Sequence, residues 1–162
     1  MNIALIGLGS MGYNLAKNMV SKNYQVNAFE KNMLIVENIK NDNIQNLYLL
    51  NSIQDLVDKT PSPRIIMLSL PADKIDKCIN DLIDHLNPTD IIADLGNSLY
   101  LKSMEREKLL SRFNISFLGI GVSGGPRGAK NGPAIMAGGS TNAWGKVKNI
   151  FEDISAKNDN ES

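Results

Sequence analysis

The stretch Gly7-Leu8-Gly9-Ser10-Met11-Gly12 constrains this chain more than any other, because of what lies on either side of it. Before it runs Ile3-Ala4-Leu5-Ile6, a continuous apolar segment of the kind found in strands buried on both faces of a parallel sheet. After it the period becomes helical as far as Lys22. Met11, Leu15, Met19 and Val20 fall on one side, with Asn14, Lys17, Asn18 and Ser21 on the other. Gln25 to Phe29 then reads as extended and ends at an acid, Glu30. A glycine triplet alone is a weak pattern. Between a buried strand and a helix, with a second strand ending in an acid, G-x-G-x-x-G is the turn that holds a dinucleotide's pyrophosphate. Gly7 permits the tight turn, Gly9 lets backbone approach the phosphates, and Gly12 lets the helix pack close to the strand. The positive end of the helix then faces the anion. We assign the whole turn, Gly7, Leu8, Gly9, Ser10, Met11 and Gly12, to cofactor binding; the competing reading is a plain strand–helix turn.

Glu30 lies 21 residues after Gly9, where a carboxylate accepts hydrogen bonds from an adenosine ribose. An acid there repels a 2′-phosphate and leans the choice towards NAD over NADP, while Lys31 beside it is a cation that suits the phosphate. A solvated strand end is the plain alternative for Glu30.

The rest of the chain keeps alternating. Met33 to Lys40 reads as helix, Leu47 to Leu50 as a short strand, and Ser52 as the cap of a helix carrying Leu56 and Val57, with Asp55 at its third position. Pro61 and Pro63 break that helix. Arg64 to Leu70 reads as strand, Asp73 to Leu86 as helix, Ile91 to Ala93 as a buried strand before Asp94, Leu99 to Arg112 as helix, and Ile115 to Ile120 as strand. Gly119 to Gly139 differs from this alternation in its density of glycine, and a last helix runs from Asn142 to about Ile154. The expected fold is therefore α/β: a Rossmann-type, doubly wound, mostly parallel sheet with helices on both faces. One dinucleotide-binding domain is expected over 1–157, then a polar tail at 158–162.

Composition narrows the partners. With 17 basic and 17 acidic residues the formal charge is zero, which offers neither nucleic acid nor a membrane surface an electrostatic footprint. The single cysteine, Cys78, excludes an intramolecular disulfide and sits in an amphipathic stretch where a lone thiol packs as a small apolar group. The single histidine, His85, lies near the end of the same helix, and no ligand cluster surrounds it, so no metal site is expected. The opening apolar run is too short for a signal peptide core or a membrane span, so a cytoplasmic location is expected.

Further motifs narrow the family. Asp94-Leu95-Gly96-Asn97-Ser98 follows one buried strand, and Gly121-Val122-Ser123-Gly124-Gly125 follows the next. Gly128-Ala129-Lys130 and Gly132-Pro133-Ala134-Ile135-Met136-Ala137-Gly138-Gly139 come after them. Together with GLGSMGYNLAKNM, these resemble the N-terminal NAD(P)-binding domain of the decarboxylating 6-phosphogluconate dehydrogenase family, within the 3-hydroxyacid dehydrogenase superfamily. The resemblance runs from Ile3 to Lys157. It implies that Asn97, Ser123, Gly124 and Gly125 contact a sugar acid, with Asn97 also beside the nicotinamide, and that Ser69, Leu70 and Pro71 lie on the cofactor side. An amide and a hydroxyl at strand ends suit a polyol, and the glycines leave room for it. The family's usual Asn-Arg-Thr after the second strand is here Glu30-Lys31-Asn32. Its Val-Lys-Ala is Ser69-Leu70-Pro71, the glycine before GNS is Leu95, and its paired glutamates are Pro126-Arg127.

The resemblance implies an oxidoreductase of the pentose phosphate pathway, taking 6-phosphogluconate to ribulose 5-phosphate by hydride transfer to NAD(P) and decarboxylation. It places the general base and acid, a lysine and a glutamate, in a segment like Lys-Met-Val-His-Asn-Gly-Ile-Glu-Tyr, and the homodimer contact in a helical domain. Neither is within these residues, so no catalytic residue is assigned here. The chain alone is expected to bind a dinucleotide and turn over little, with Lys130 the first substitute to consider. The face meeting the helical domain is expected to be apolar. Two other readings stand beside this one, a 3-hydroxyisobutyrate dehydrogenase-like domain and a non-catalytic dinucleotide-binding module.

Overall fold

The computed structural model describes residues 1–157, so the polar tail read at 158–162 lies outside the described residues. Strands β1 (Asn2–Ile6), β2 (Val26–Phe29), β3 (Leu47–Leu50), β4 (Arg64–Leu68), β5 (Ile91–Asp94), β6 (Ser116–Ser123) and β7 (Ala134–Gly139) form one sheet in the order β3-β2-β1-β4-β5-β6-β7. All neighbours pair parallel except β6 and β7. Helices α1 (Ser10–Ser21), α2 (Met33–Asn41), α3 (Ile53–Asp58), α4 (Ala72–Leu82), α5 (Tyr100–Ser111), α6 (Gly125–Asn131) and α7 (Thr141–Ile154) join them, with a 3₁₀ turn at Ile83–His85 after α4. The strand order runs one way from β1 and the other way from β4, so the topological switch lies between these two strands.

Alternation along the central strands feeds two cores. Ile3, Leu5, Ile65, Met67, Ile91 and Ala93 face α1, α6 and α7, whereas Ala4, Ile6, Ile66, Leu68 and Ile92 face α3, α4 and α5. The continuous apolar runs thus mark strands covered on both sides, as a doubly wound sheet requires.

Four local readings change. Arg64 to Leu70 leaves the strand at Leu68, because Leu70 turns to cover the glycine turn. The helix read as Asp73 to Leu86 tightens to 3₁₀ after Leu82. The stretch from Gly119 to Gly139, read without elements beyond Ile120, carries three: β6 continues to Ser123, α6 follows, and β7 returns antiparallel against β6. Asn18, read on the polar face of α1, is only 3% exposed. Its amide donates to the carbonyls of Ala129 (3.0 Å) and Ile154 (2.8 Å), tying α1 to α6 and α7. Among the described residues no helix is long and apolar enough to cross a membrane.

Candidate functional site

The carboxyl ends of the central strands differ from the rest of the fold in how their helices begin. α2, α3 and α7 are capped by the side chains of Asn32, Ser52 and Ser140. α1, α4, α5 and α6, which follow β1, β4, β5 and β6, start at Gly9, Pro71, Leu99 and Gly124 with no side-chain cap. Four adjoining strand ends therefore lead to helix starts whose first amides lack a side-chain acceptor, and the topological switch lies among them.

At that switch the glycine turn is built by close contact. Gly7 has φ +92°, and a Cβ there would stand 2.4 Å from the Ser69 carbonyl oxygen. A Cβ on Gly12 would stand 2.0 Å from the Gly7 carbonyl oxygen. Protein fills the space beside both. Gly9 is different: a Cβ there meets nothing within 4 Å, so its missing side chain leaves open room over the start of α1. Leu8 buries its side chain in the core, and only its amide faces the turn. Ser10 is exposed and Met11 half-buried.

That Leu8 amide donates to Glu30 Oε2 at 2.7 Å, and the Asn32 amide donates to Oε1 at 2.8 Å. Glu30 therefore clamps the glycine turn to the start of α2, and each oxygen keeps acceptor capacity for a hydroxyl. Lys31 is exposed and enters none of the ion pairs among the described residues.

Across the switch, the Ser69 amide donates to Ile6 O at 2.9 Å and the Leu95 amide to Leu68 O at 2.9 Å. A Cβ on Gly96 would lie 2.3 Å from Leu70 O, so Ser69-Leu70-Pro71 and the turn carrying Asn97 stand shoulder to shoulder. Leu95, where the resembling family has glycine, packs against the core on the α1 side. Asn97 is exposed and lines a cleft of about 350 Å³ with Tyr100, Ser103, Glu107 and Gly119.

Ser123, Gly124 and Gly125 are exposed and sit further out. Gly119 pairs with Asp94 at the common level of the strand ends, and β6 continues four residues beyond it to Ser123. At the usual rise this lifts the loop about 13 Å along the strand direction. Gly124 (φ +131°) and Gly125 (φ +61°) then turn the chain into α6.

Sequence reading missed the support beneath Asn97. Arg106, 4% exposed, donates from Nη1 to Asp94 Oδ2 and to Ser98 Oγ, both at 2.7 Å, and from Nε to Asp76 Oδ1 at 2.6 Å. Asp94 Oδ1 accepts the Gly96 amide at 2.8 Å. The Arg106 guanidinium holds the Asp76 carboxyl below its ordinary range, chiefly through that hydrogen bond. The available signal was an arginine inside an amphipathic helix next to a strand ending in aspartate, which does not say which way the side chain points.

A larger cavity, about 950 Å³, lies towards the amino ends of β1 to β3, near Asn2, Tyr24, Asn27 and Lys59. It is far from the uncapped helix starts that favour an anion, so size alone is a poor guide here. Burial pushes the Cys78 thiol up to about 12, so it packs as a neutral group. His85 is exposed in the 3₁₀ turn. No group of three or more His, Cys, Asp or Glu is arranged to hold a metal among the described residues.

The sequence profile of the NAD binding domain of 6-phosphogluconate dehydrogenase matches residues 2–160. The chain belongs to that family. It is 40% identical over 157 residues to the decarboxylating 6-phosphogluconate dehydrogenase of Buchnera aphidicola subsp. Acyrthosiphon pisum, covering 96% of this chain and 34% of that protein. It is 43% identical over 162 residues to the enzyme of the same name from Haemophilus influenzae, covering 96% and 33%. The chain thus spans about a third of the length of these curated relatives. Among solved structures, Plasmodium falciparum 6-phosphogluconate dehydrogenase superposes with TM-score 0.92 at 33% identity, covering 99% of this chain and 35% of that one. That protein is described in its apo form, with its cofactor NADP+, and with its substrate 6-phosphogluconate. Mycobacterium tuberculosis 3-hydroxyisobutyrate dehydrogenase superposes with TM-score 0.84 at 22% identity, covering 97% of this chain and 53% of that one, a likeness of fold alone. As an NAD(P)-binding domain of the 6-phosphogluconate dehydrogenase family, the chain carries the fold expected from its sequence.

Proposed function

We propose that residues 1–157 form the cofactor-holding domain of a decarboxylating 6-phosphogluconate dehydrogenase of the pentose phosphate pathway, working in the cytoplasm. The observation that carries this reading is the open space over Gly9, in a turn whose other glycines are packed against protein. A pyrophosphate laid there meets the first amides of α1, with Ser69, Leu70 and Pro71 along its other side. When bound, the dinucleotide accepts a hydride; the chain's part is to fix its place and leave room for the sugar acid. Asn97 reaches towards both, and Ser123, Gly124 and Gly125 take the sugar acid from further out along β6. The apolar first turn of α5, where Leu99 and Tyr100 are 74% and 72% exposed, is the surface we expect the remaining length of such an enzyme to cover. The family homodimer would form through that remaining length.

NAD is the proposed cofactor over NADP. Glu30 is held by two backbone amides and does not swing away from a 2′-phosphate without releasing the glycine turn. The lysine and glutamate that the family reading assigns to proton transfer are not among the 162 residues. The chain by itself should therefore bind and not turn over.

Titration of the purified chain with NAD⁺ and NADP⁺, followed by absorbance of reduced nicotinamide on adding 6-phosphogluconate, tests these statements together. Tighter binding of NAD⁺ without turnover is expected. Equal or tighter NADP⁺ binding would transfer the decision from Glu30 to Lys31. Turnover would overturn the assignment of proton transfer to residues outside the chain and make Lys130 the first candidate to replace. Failure to bind either dinucleotide would overturn the proposal that the chain holds its cofactor by itself.

A further inference from the structure

We propose that Arg106 is a positioning residue that sets the Asn97 turn, a role that rests on the reading of Asn97 as a ligand-contacting side chain. The turn from Asp94 to Ser98 is fastened at both ends to one guanidinium. On one side Arg106 Nη1 holds Asp94 Oδ2, and Asp94 Oδ1 in turn takes the Gly96 amide. On the other side the same Nη1 holds Ser98 Oγ. Asn97 lies between these two anchors and is itself exposed, with no side-chain hydrogen bond among the described residues. Its place is therefore inherited from its neighbours.

The network also has a preferred direction. Arg106 and Asp94 are 4% and 3% exposed, so neither is free to exchange its partner for water. Nε reaches across to Asp76 on α4, whose start at Pro71 ends the Ser69-Leu70-Pro71 connection. One planar, always-charged fork thus joins α4 and α5 to the turn between β5 and α5. A lysine offers a single point of charge and reaches only part of this set. The inference separates two jobs in one short motif: Ser98 and Gly96 face inward to be held, and Asn97 faces outward to bind.

The test uses the full chain with Ser98→Ala and Arg106→Lys, both chosen because Arg106→Met strands the buried Asp94 and risks unfolding. Amide NMR and hydrogen exchange of the ligand-free chain read the turn directly. Both variants should shift the Gly96, Asn97 and Ser98 amides and speed exchange at Gly96 by about tenfold, with the amides of Ile66 and Met67 unchanged. Dissociation constants for NAD⁺ should rise about threefold to tenfold, the scale of one misplaced hydrogen bond. Asn97→Ala should cost less in the Arg106→Lys background than in the unchanged chain, since a displaced side chain has less to lose. Unmoved amides at 96–98 in both variants would overturn the proposal. So would full additivity of Asn97→Ala with Arg106→Lys. If the unchanged chain binds no dinucleotide, the proposed cofactor binding by the chain alone fails, and the amide spectra still decide whether Arg106 sets the turn.

Discussion

The two glycine-rich regions of this molecule use the same residue in different proportions for packing and for openness. In the first, at Gly7 and Gly12, glycine is forced by backbone oxygens standing 2.4 and 2.0 Å from where a Cβ would be. In the second, between Gly119 and Gly139, several glycines meet little. Gly125 has nothing within 4 Å, and Gly128 and Gly138 have their nearest neighbours at 3.7 and 3.8 Å. Glycine packs one region tight. In the other it does both. Gly125, Gly128 and Gly138 keep the surface low, while at Gly132 and Gly139 a Cβ would stand 2.9 Å from Ala156 Cα and 2.8 Å from the Phe117 carbonyl oxygen. The positive φ of Gly124, Gly125, Gly132 and Gly139 bends the chain. A dense glycine pattern is thus informative about packing only when the elements on either side are known.

The comparison breaks first at Gly12. Gly12→Ala should cost about 3 kcal/mol or more, because a methyl group cannot share space with the Gly7 carbonyl and α1 must move off the sheet. Urea denaturation measures this. A loss below about 1 kcal/mol would mean that the helix has slack, and that the first region is no tighter than the second. Asn18→Leu comes next, since Asn18 is the buried bridge from α1 to α6 within the second region and to α7 after it. Removing its amide strands two carbonyl oxygens and should cost about 2–3 kcal/mol, with the amides of α6 losing protection before those of β1.

Gly9→Ala sharpens the comparison from inside the tight region. Stability should stay within about 0.5 kcal/mol, because the added methyl touches nothing. Affinity for NAD⁺ should nonetheless fall about tenfold or more, as the methyl occupies the space proposed for the pyrophosphate. Loss of stability in parallel with affinity would show Gly9 to be a packing glycine like its neighbours.

Much of this division was readable in advance, for physical reasons. Ile3 to Ile6, the Gly7–Gly12 turn and Glu30 lie close in sequence and have local periods, so their strand, turn and helix follow from short-range rules. The antiparallel return of β7 was not readable. Gly121 pairs with Met136 and Gly119 with Gly138, and pairs without side chains on one strand carry no alternation to detect. Asn18 and Arg106 were missed for another reason. A buried polar side chain on a helix is indistinguishable from a solvated one until its acceptors, Ala129 and Ile154 or Asp94 and Ser98, arrive from distant segments.

Gly125→Ala gives the smallest effect and the cleanest contrast with Gly12. No atom blocks the methyl, so the whole cost is the backbone's: φ +61° is left-handed and charges an alanine about 1 kcal/mol. In a chain of this size that lowers the thermal midpoint by about 2–4 °C. The same change in Asn, which tolerates this conformation better, should recover part of the loss without filling less space. If Gly125→Asn is instead as damaging as Gly125→Ala, the position is closed by contact rather than by conformation, and the two glycine regions obey one rule after all.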